Sequence, residues 1–349
     1  LSSIPQRDSG PARLRFNSDG SFRIIQLADL HFGEAPDSWG SQQDELSIKY
    51  IKAVMAAETV DLAVLTGDQL SAAGIDTNAT DYWDMIVDTL QGTPHTAILG
   101  NHDAEPPHAN GQNQSKPGVL MIACCLAVGL TFDSALPGAH TNRTQLMHHD
   151  MLTYSSHSQL GPAELLPAVS IFVVDVWPED PQVDVPELQL VHLDSGGGGM
   201  EEEVYLQQIA WFNATMRKRR ERFGRAVPAL VFVHIPLWEF EHAMQHDACV
   251  GEQDEGVTPT VHNTGLFAAV EATREVIGVF VGHDHCNDFC CKVGSRGVNL
   301  CFGRHTGDGG YQCNGYINGA RVIEVQARPW HVTTHVRLVN GSVVHAAVL

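Results

Sequence analysis

Short apolar runs recur along this chain, and many of them end on a polar cluster. Residues 22–32, FRIIQLADLHF, alternate into an apolar run and predict a strand. Residues 41–58 carry apolar positions at helical spacing, with Ser41 placed to cap the helix N-terminus. A buried strand is expected at 61–68, a helix at 82–90 and a third strand at 95–103. Strands that alternate with helices imply βαβ units and a mainly parallel sheet. Further on, 170–177 and 188–196 read as strands, and the four glycines at 196–199 as a flexible loop. Residues 201–222 predict an amphipathic helix with acids at its start and bases at its end, the polarity that suits a helix dipole. Strands follow at 229–236 and 276–285, and beyond Cys301 the segments 321–325 and 331–339 turn to β pattern. No internal repeat or linker interrupts the chain, so one domain is expected.

Composition narrows the picture. With 21 Lys and Arg against 41 Asp and Glu, the formal charge is −20, which excludes a basic surface for nucleic acid or anionic lipid. The run RKRRER at 217–222 then reads as a solvated helix end. No stretch of about 18 apolar residues is present, so no membrane-spanning helix is expected. Eight cysteines and five Asn-X-Ser/Thr triplets, at Asn78, Asn113, Asn142, Asn213 and Asn340, favour a secreted, disulfide-bonded glycoprotein. The rival reading is a cytosolic enzyme with buried thiols. The chain opens at Leu1 without a visible signal peptide, as a processed mature form or a trimmed one would.

Five polar clusters share one placement: ADLH, TGD, GNHD, VHIP and GHDH each follow an apolar strand. In open α/β sheets chemistry collects at the carboxyl ends of strands. A lone His or Gly-Asp at such a tip is commonly a turn or a hydrogen-bonded residue. Five together are harder to explain so, because burying several carboxylates and imidazoles without cations is costly. The donors are Asp, His and one Asn amide without cysteine, a set that suits Fe, Zn or Mn. The neighbouring CNDFCC lacks repeated CxxC spacing and reads as disulfide cysteines.

Asp29-x-His31, Gly67-Asp68, Gly100-Asn101-His102-Asp103, His234 and Gly282-His283-Asp284-His285 resemble, in order, the five blocks of the calcineurin-like metallophosphoesterase superfamily. With LDSG, QIAWF and GHDHCNDFCC, the chain is similar to the purple-acid-phosphatase-like group of plants, algae and fungi, some of whose members are labelled probable inactive. The resemblance covers most of residues 22–325. It implies an α/β fold, a four-layer αββα sandwich of two mixed sheets flanked by helices, as one domain over 22–349 behind an N-terminal extension at 1–21. It also implies that Asp29, His31 and His285 hold one metal, that Asn101, His234 and His283 hold a second, and that Asp68 bridges them. His283 and His285, alternate residues of an extended tip, would serve one metal each.

Two departures stand out. Purple acid phosphatases have Tyr three residues after the bridging Asp, where this chain has Ser71, and Gly where it has His31. The implied activity is hydrolysis of a small phosphate ester by a metal-bridging hydroxide, with His102 as general acid and Asp103 orienting its ring. Arg304 and His305 are candidates to reach the substrate. A phosphomonoesterase is the first reading. A phosphodiesterase of nucleotides or lipid head groups is the second. A retired enzyme kept as an extracellular structural or binding glycoprotein ranks last, because no ligand is missing.

Overall fold

The computed structural model describes residues 11–35, 38–75, 79–105, 141–246 and 248–349. Asn78, Asn113, Cys124 and Cys125 lie outside them. Two mixed sheets stack face to face. The smaller has the order β14 (Val343–Val348), β13 (Trp330–Leu338), β12 (Gly319–Ala327), β2 (Ser21–Leu27), β3 (Leu62–Thr66) and β4 (His95–Ile98). The larger runs β1 (Leu14–Arg15), β5 (Phe172–Trp177), β6 (Leu188–His192), β7 (Ala229–Phe232), β9 (Val276–Val281), β11 (Val298–Phe302), β10 (Cys290–Val293) and β8 (Ala248–Val250). Strands β2, β3 and β4 are mutually parallel, as are β6, β7 and β9. Strand β12 pairs antiparallel with β2, Ile323 opposite Ile24.

The period-2 rule explains the layers. In the larger sheet Leu190, Leu230, Phe232 and Phe280 face a core shared with Ile24, Val64 and Ile323 of the smaller sheet. Their chain neighbours Val191, Val231 and Val279 pack the other way, with Ile209 and Phe212 of α4 (Leu206–Phe223) and Val270 of α6 (Leu266–Ala272). Ile51 of α1 (Gly40–Ala57) and Trp83 of α2 (Ala79–Thr89) belong to the first core. The result is the expected four-layer αββα sandwich. Two shorter helices, α3 (Arg143–Leu152) and α5 (Phe240–His246), complete the helices of the described residues.

Three local expectations need correction. Helix α1 begins at Gly40, with Trp39 in the cap position and no side-chain cap, so Ser41 is not the cap. A Cβ on Gly40 would lie 1.5 Å from the Glu34 carbonyl oxygen, so the close approach that starts the helix requires glycine. Helix α4 begins at Leu206, leaving Glu201, Glu202 and Glu203 in the preceding loop, although Arg220 and Arg222 do occupy its last turn. Its basic end is solvated as expected, with Arg217, Lys218, Arg220 and Arg222 exposed, while Arg219 pairs with Asp175 and Arg220 with the buried Glu275. The four glycines form no free loop: Gly196 and Gly197 are buried, and the Cβ position of Gly197 falls 2.2 Å from Asn101 Cα.

Three disulfides, Cys249–Cys291, Cys286–Cys313 and Cys290–Cys301, staple the segment after β9. Among the described residues no helix is long and apolar enough to cross a membrane.

Candidate metal centre

The parallel strands of both sheets end at one place. Asp29 and His31 follow β2, Asp68 follows β3, Asn101 follows β4, His234 follows β7, and His283 and His285 follow β9. Loop hydrogen bonds lock the tips together. His31 N–H donates to Asp68 O (3.0 Å), Gly282 N–H to His234 O (3.0 Å), and His283 N–H crosses between sheets to Asp29 Oδ1 (2.9 Å).

Four of these seven residues sit in the left-handed region: Asp29 (φ 58°), His31 (51°), Asp68 (54°) and His283 (79°). That conformation is uncommon for residues with a Cβ, and its clustering marks a functional site. It also ends each strand earlier than the apolar runs suggest. His283 is the centre of a tight turn in which Asp284 N–H donates to Gly282 O (3.0 Å), so the tip is not simply extended. Gly67 precedes Asp68 at φ 94°, and a Cβ there would stand 2.3 Å from His234 Nδ1. Only glycine lets the two sheets approach this closely.

The side chains form two groups. One donor atom each from Asp29, His31 and His285 lie within 4.8 Å of one another, as do those from Asp68, His234 and His283. Asn101 Oδ1 joins the second group, 3.0 Å from His234 Nε2 and 3.1 Å from His283 Nδ1. Asp68 Oδ2 lies 3.1 Å from His234 Nε2 and 3.8 Å from His31 Nε2, between the groups. His283 and His285 thus fall in different groups.

The donor chemistry fits cations. His234 Nδ1 donates to Thr66 O (2.8 Å) and His285 Nδ1 to Tyr311 O (2.8 Å). Each turns its Nε2 toward the cluster, the arrangement that orients metal-ligating imidazoles. His285 Nε2 is 3.2 Å from His31 Nε2, whose Nδ1 lies 3.0 Å from Ser71 Oγ. Burial drives the His31 imidazole well below its ordinary range and holds His283 near 3 and His285 near 4. These imidazoles are therefore neutral, the form that coordinates. Burial also pushes the Asp29 carboxyl up to about 7. At His234 burial acts downward, but the Asp68 carboxylate outweighs it and raises the imidazole to about 9. A buried set with this excess of lone pairs is stabilised by positive ions.

His102 stands at the edge of the cluster, its side chain 39% exposed. Its Nδ1 pairs with Glu105 (2.8 Å), and its backbone N–H donates to Asp68 Oδ1 (2.8 Å). Asp103 therefore does not orient the His102 ring. Its carboxylate faces the other way and accepts backbone N–H groups of Gly100 (2.7 Å), Leu70 (2.9 Å) and Asp68 (3.0 Å). With three donors already on it, Asp103 shapes the loop, and Glu105 is the carboxylate that meets the His102 ring. At His102 burial acts downward, but Asp68 and Glu105 raise the imidazole to about 10.

The two C-terminal candidates separate from the cluster. Arg304 is buried and engaged by Asp288 (2.7 Å) and by Ile317 O (2.8 Å), so it does not reach the cleft. His305 is also buried. Its ring lies 4.0 Å from that of His285, and it does not line the cleft. A cleft of about 650 Å³ opens over the cluster, lined by His31, Ser71, His102, Glu105, His283 and Tyr311 among others.

Some supporting residues went unread in the sequence. Asp194, in LDSG, pairs with Arg143 (2.6 Å), and Arg143 donates to Gly100 O (2.6 Å), fixing the GNHD turn. The sequence marks LDSG as a strand end and as part of the family resemblance, without giving Asp194 a role. Glu105 and Tyr311 carried no pattern of their own.

The chain belongs to the calcineurin-like phosphoesterase family, whose profile matches residues 22–287. It is 27% identical over 354 residues to "Probable inactive purple acid phosphatase 14" of Arabidopsis thaliana, covering 91% of this chain and 79% of that one. It is 26% identical over 364 residues to "Phosphatase DCR2" of Saccharomyces cerevisiae, covering 96% of this chain and 56% of that one. In fold it is similar to purple acid phosphatase PPD1 from yellow lupin seeds (TM-score 0.55, 10% identity), covering 97% of this chain and 55% of that one.

Proposed function

We propose that this chain is a two-cation phosphomonoesterase of an extracellular or cell-wall compartment. The observation that carries the reading is the convergence of Asp29, His31, Asp68, Asn101, His234, His283 and His285, with the tautomers of His234 and His285 set by carbonyl partners. Asp29, His31 and His285 would hold one ion, Asn101, His234 and His283 the other, and Asp68 both. The donors suit Fe, Zn or Mn. Such a pair of ions, when bound, polarises a phosphoryl group and acidifies water.

The chain's own residues supply the rest. Glu105 holds His102 by Nδ1, which leaves Nε2 to carry a proton to the leaving oxygen at the cleft edge. Asp103 keeps the Gly100–Asn101 backbone in place. Three disulfides support an oxidising compartment, as do exposed sequon residues at Asn142, Asn213 and Asn340. Asn142 also caps α3 through its side-chain oxygen, which leaves the amide nitrogen free of that bond.

The phosphodiesterase reading is second, and a retired binding protein is third. The word "inactive" in the name of the Arabidopsis relative belongs to that protein, and here every donor is retained. Elemental analysis of protein kept from chelators, combined with rates on p-nitrophenyl phosphate and its bis ester, tests the proposal. About two transition-metal ions and faster monoester turnover are expected. A faster bis ester would favour the diesterase, and metal without any turnover the binding protein.

A further inference from the structure

Tyr311 touches His285 in three ways. Its ring stacks on the imidazole, centroids 4.0 Å apart and planes within 4°. Its hydroxyl oxygen accepts the His285 backbone N–H (3.0 Å), and its carbonyl oxygen accepts from Nδ1 (2.8 Å). The hydroxyl in turn donates to Glu255 (2.8 Å), so it points away from the ligand cluster. On the opposite face of His285 lies His305, also 4.0 Å away. The imidazole is thus held between two rings of one loop. Cys286–Cys313 ties that loop back to the residue after His285. At Gly310 a Cβ would stand 2.6 Å from His285 Cε1, so the loop is pressed against the ring.

We infer that Tyr311 is a positioning residue for His285, setting its ring plane and tautomer so that Nε2 faces the first cation. This rests on the two-cation reading above. Fixing a ligand's ring and its Nδ1 partner commonly changes cation affinity by 10–100-fold. The stack and the loop it anchors matter more than the hydroxyl: every substitution at 311 keeps the carbonyl oxygen, Phe also keeps the stacked ring, and Ala loses it.

Metal-depleted full-length protein titrated with Zn²⁺ by calorimetry tests it, with thermal melts of the depleted forms alongside. Unsubstituted protein should bind about two ions. Tyr311→Ala should weaken one binding step by about tenfold and leave the other unchanged, with the melt of the depleted protein nearly unaltered. Tyr311→Phe should restore the weakened step to within about threefold. Native affinity at both steps in Tyr311→Ala would overturn the inference while sparing the two-cation reading. Equal weakening of both steps, or a Tyr311→Phe variant as weak as Tyr311→Ala, would also overturn it. If the unsubstituted protein bound no ion saturably, the two-cation reading and the inference would fall together.

Discussion

The tips GNHD (100–103) and GHDH (282–285) use nearly the same residues for different work. In GHDH both imidazoles are drawn into the cluster, one to each group of donors, by a turn centred on His283 at φ 79°. In GNHD it is Asn101 that joins the cluster, while His102 stays half out of it, leaning on Glu105. The carboxylates diverge as well. Asp103 accepts three backbone N–H groups, whereas Asp284 accepts from Thr258 N (3.0 Å). A His–Asp pair in sequence is thus no guide to a His–Asp pair in space. What each residue does depends on where the backbone N–H groups lie.

Five substitutions would break or sharpen that contrast. His283→Ala should have the largest effect, removing one ion and several kcal/mol of transition-state stabilisation, a loss of about 10⁴-fold in turnover. Retention of two ions by this variant, on elemental analysis, would contradict its place in the donor set. His102→Ala should keep its metal yet lose about 10³-fold in turnover, the middle of the range for a positioned acid. The loss should be greater for alkyl phosphates than for nitrophenyl phosphate, whose leaving group needs no proton. Equal losses on both would move the acid elsewhere.

Asp103→Ala should act on stability. It strips the partner from three backbone donors, at a cost of about 3–4 kcal/mol in denaturant unfolding, against about 1 kcal/mol for Asp284→Ala. Similar midpoints for the two would erase the distinction drawn between the carboxylates. Glu105→Gln should have the smallest effect, lowering turnover about tenfold as His102 loses its charged partner. Glu105 helps to raise the His102 imidazole, so its removal lowers that pKa. The protonated acid is then lost at lower pH, and the alkaline limb of the rate profile should move acidward. A limb that stays in place would mean that Glu105 does not act through His102.

The strands and their tips were legible because apolar runs of period 2 end on polar clusters, and five such ends in family order leave little freedom. The corrections come from contacts that a one-dimensional pattern does not carry. Strands overran because Asp29 and Asp68, in the left-handed region, stop them short. The acids of α4 fell outside the helix because the chain there folds onto Gly196, whose Cβ position is 1.9 Å from Glu201 O. The short strands β8, β10, β11 and β14 were not read, since three to six residues beside cysteines or at a sheet edge give too brief an alternation. Arg304 and His305 are candidates to reach the substrate from a C-terminal loop, yet both side chains are buried.

The pairing of β2 with β12 has a consequence for biosynthesis. The strand bearing Asp29 and His31 at its end is flanked by β3, made shortly after it, and by β12, made about 300 residues later. Until the ribosome has delivered Gly319–Ala327, one edge of β2 presents Ile24 and Ile25 unpaired, the kind of edge that recruits other chains. The donor cluster cannot close earlier either, since His283 and His285 come late and the loop holding His285 comes later still. Folding of this protein is therefore expected to be largely post-translational and slow, as a topology dominated by distant pairings requires.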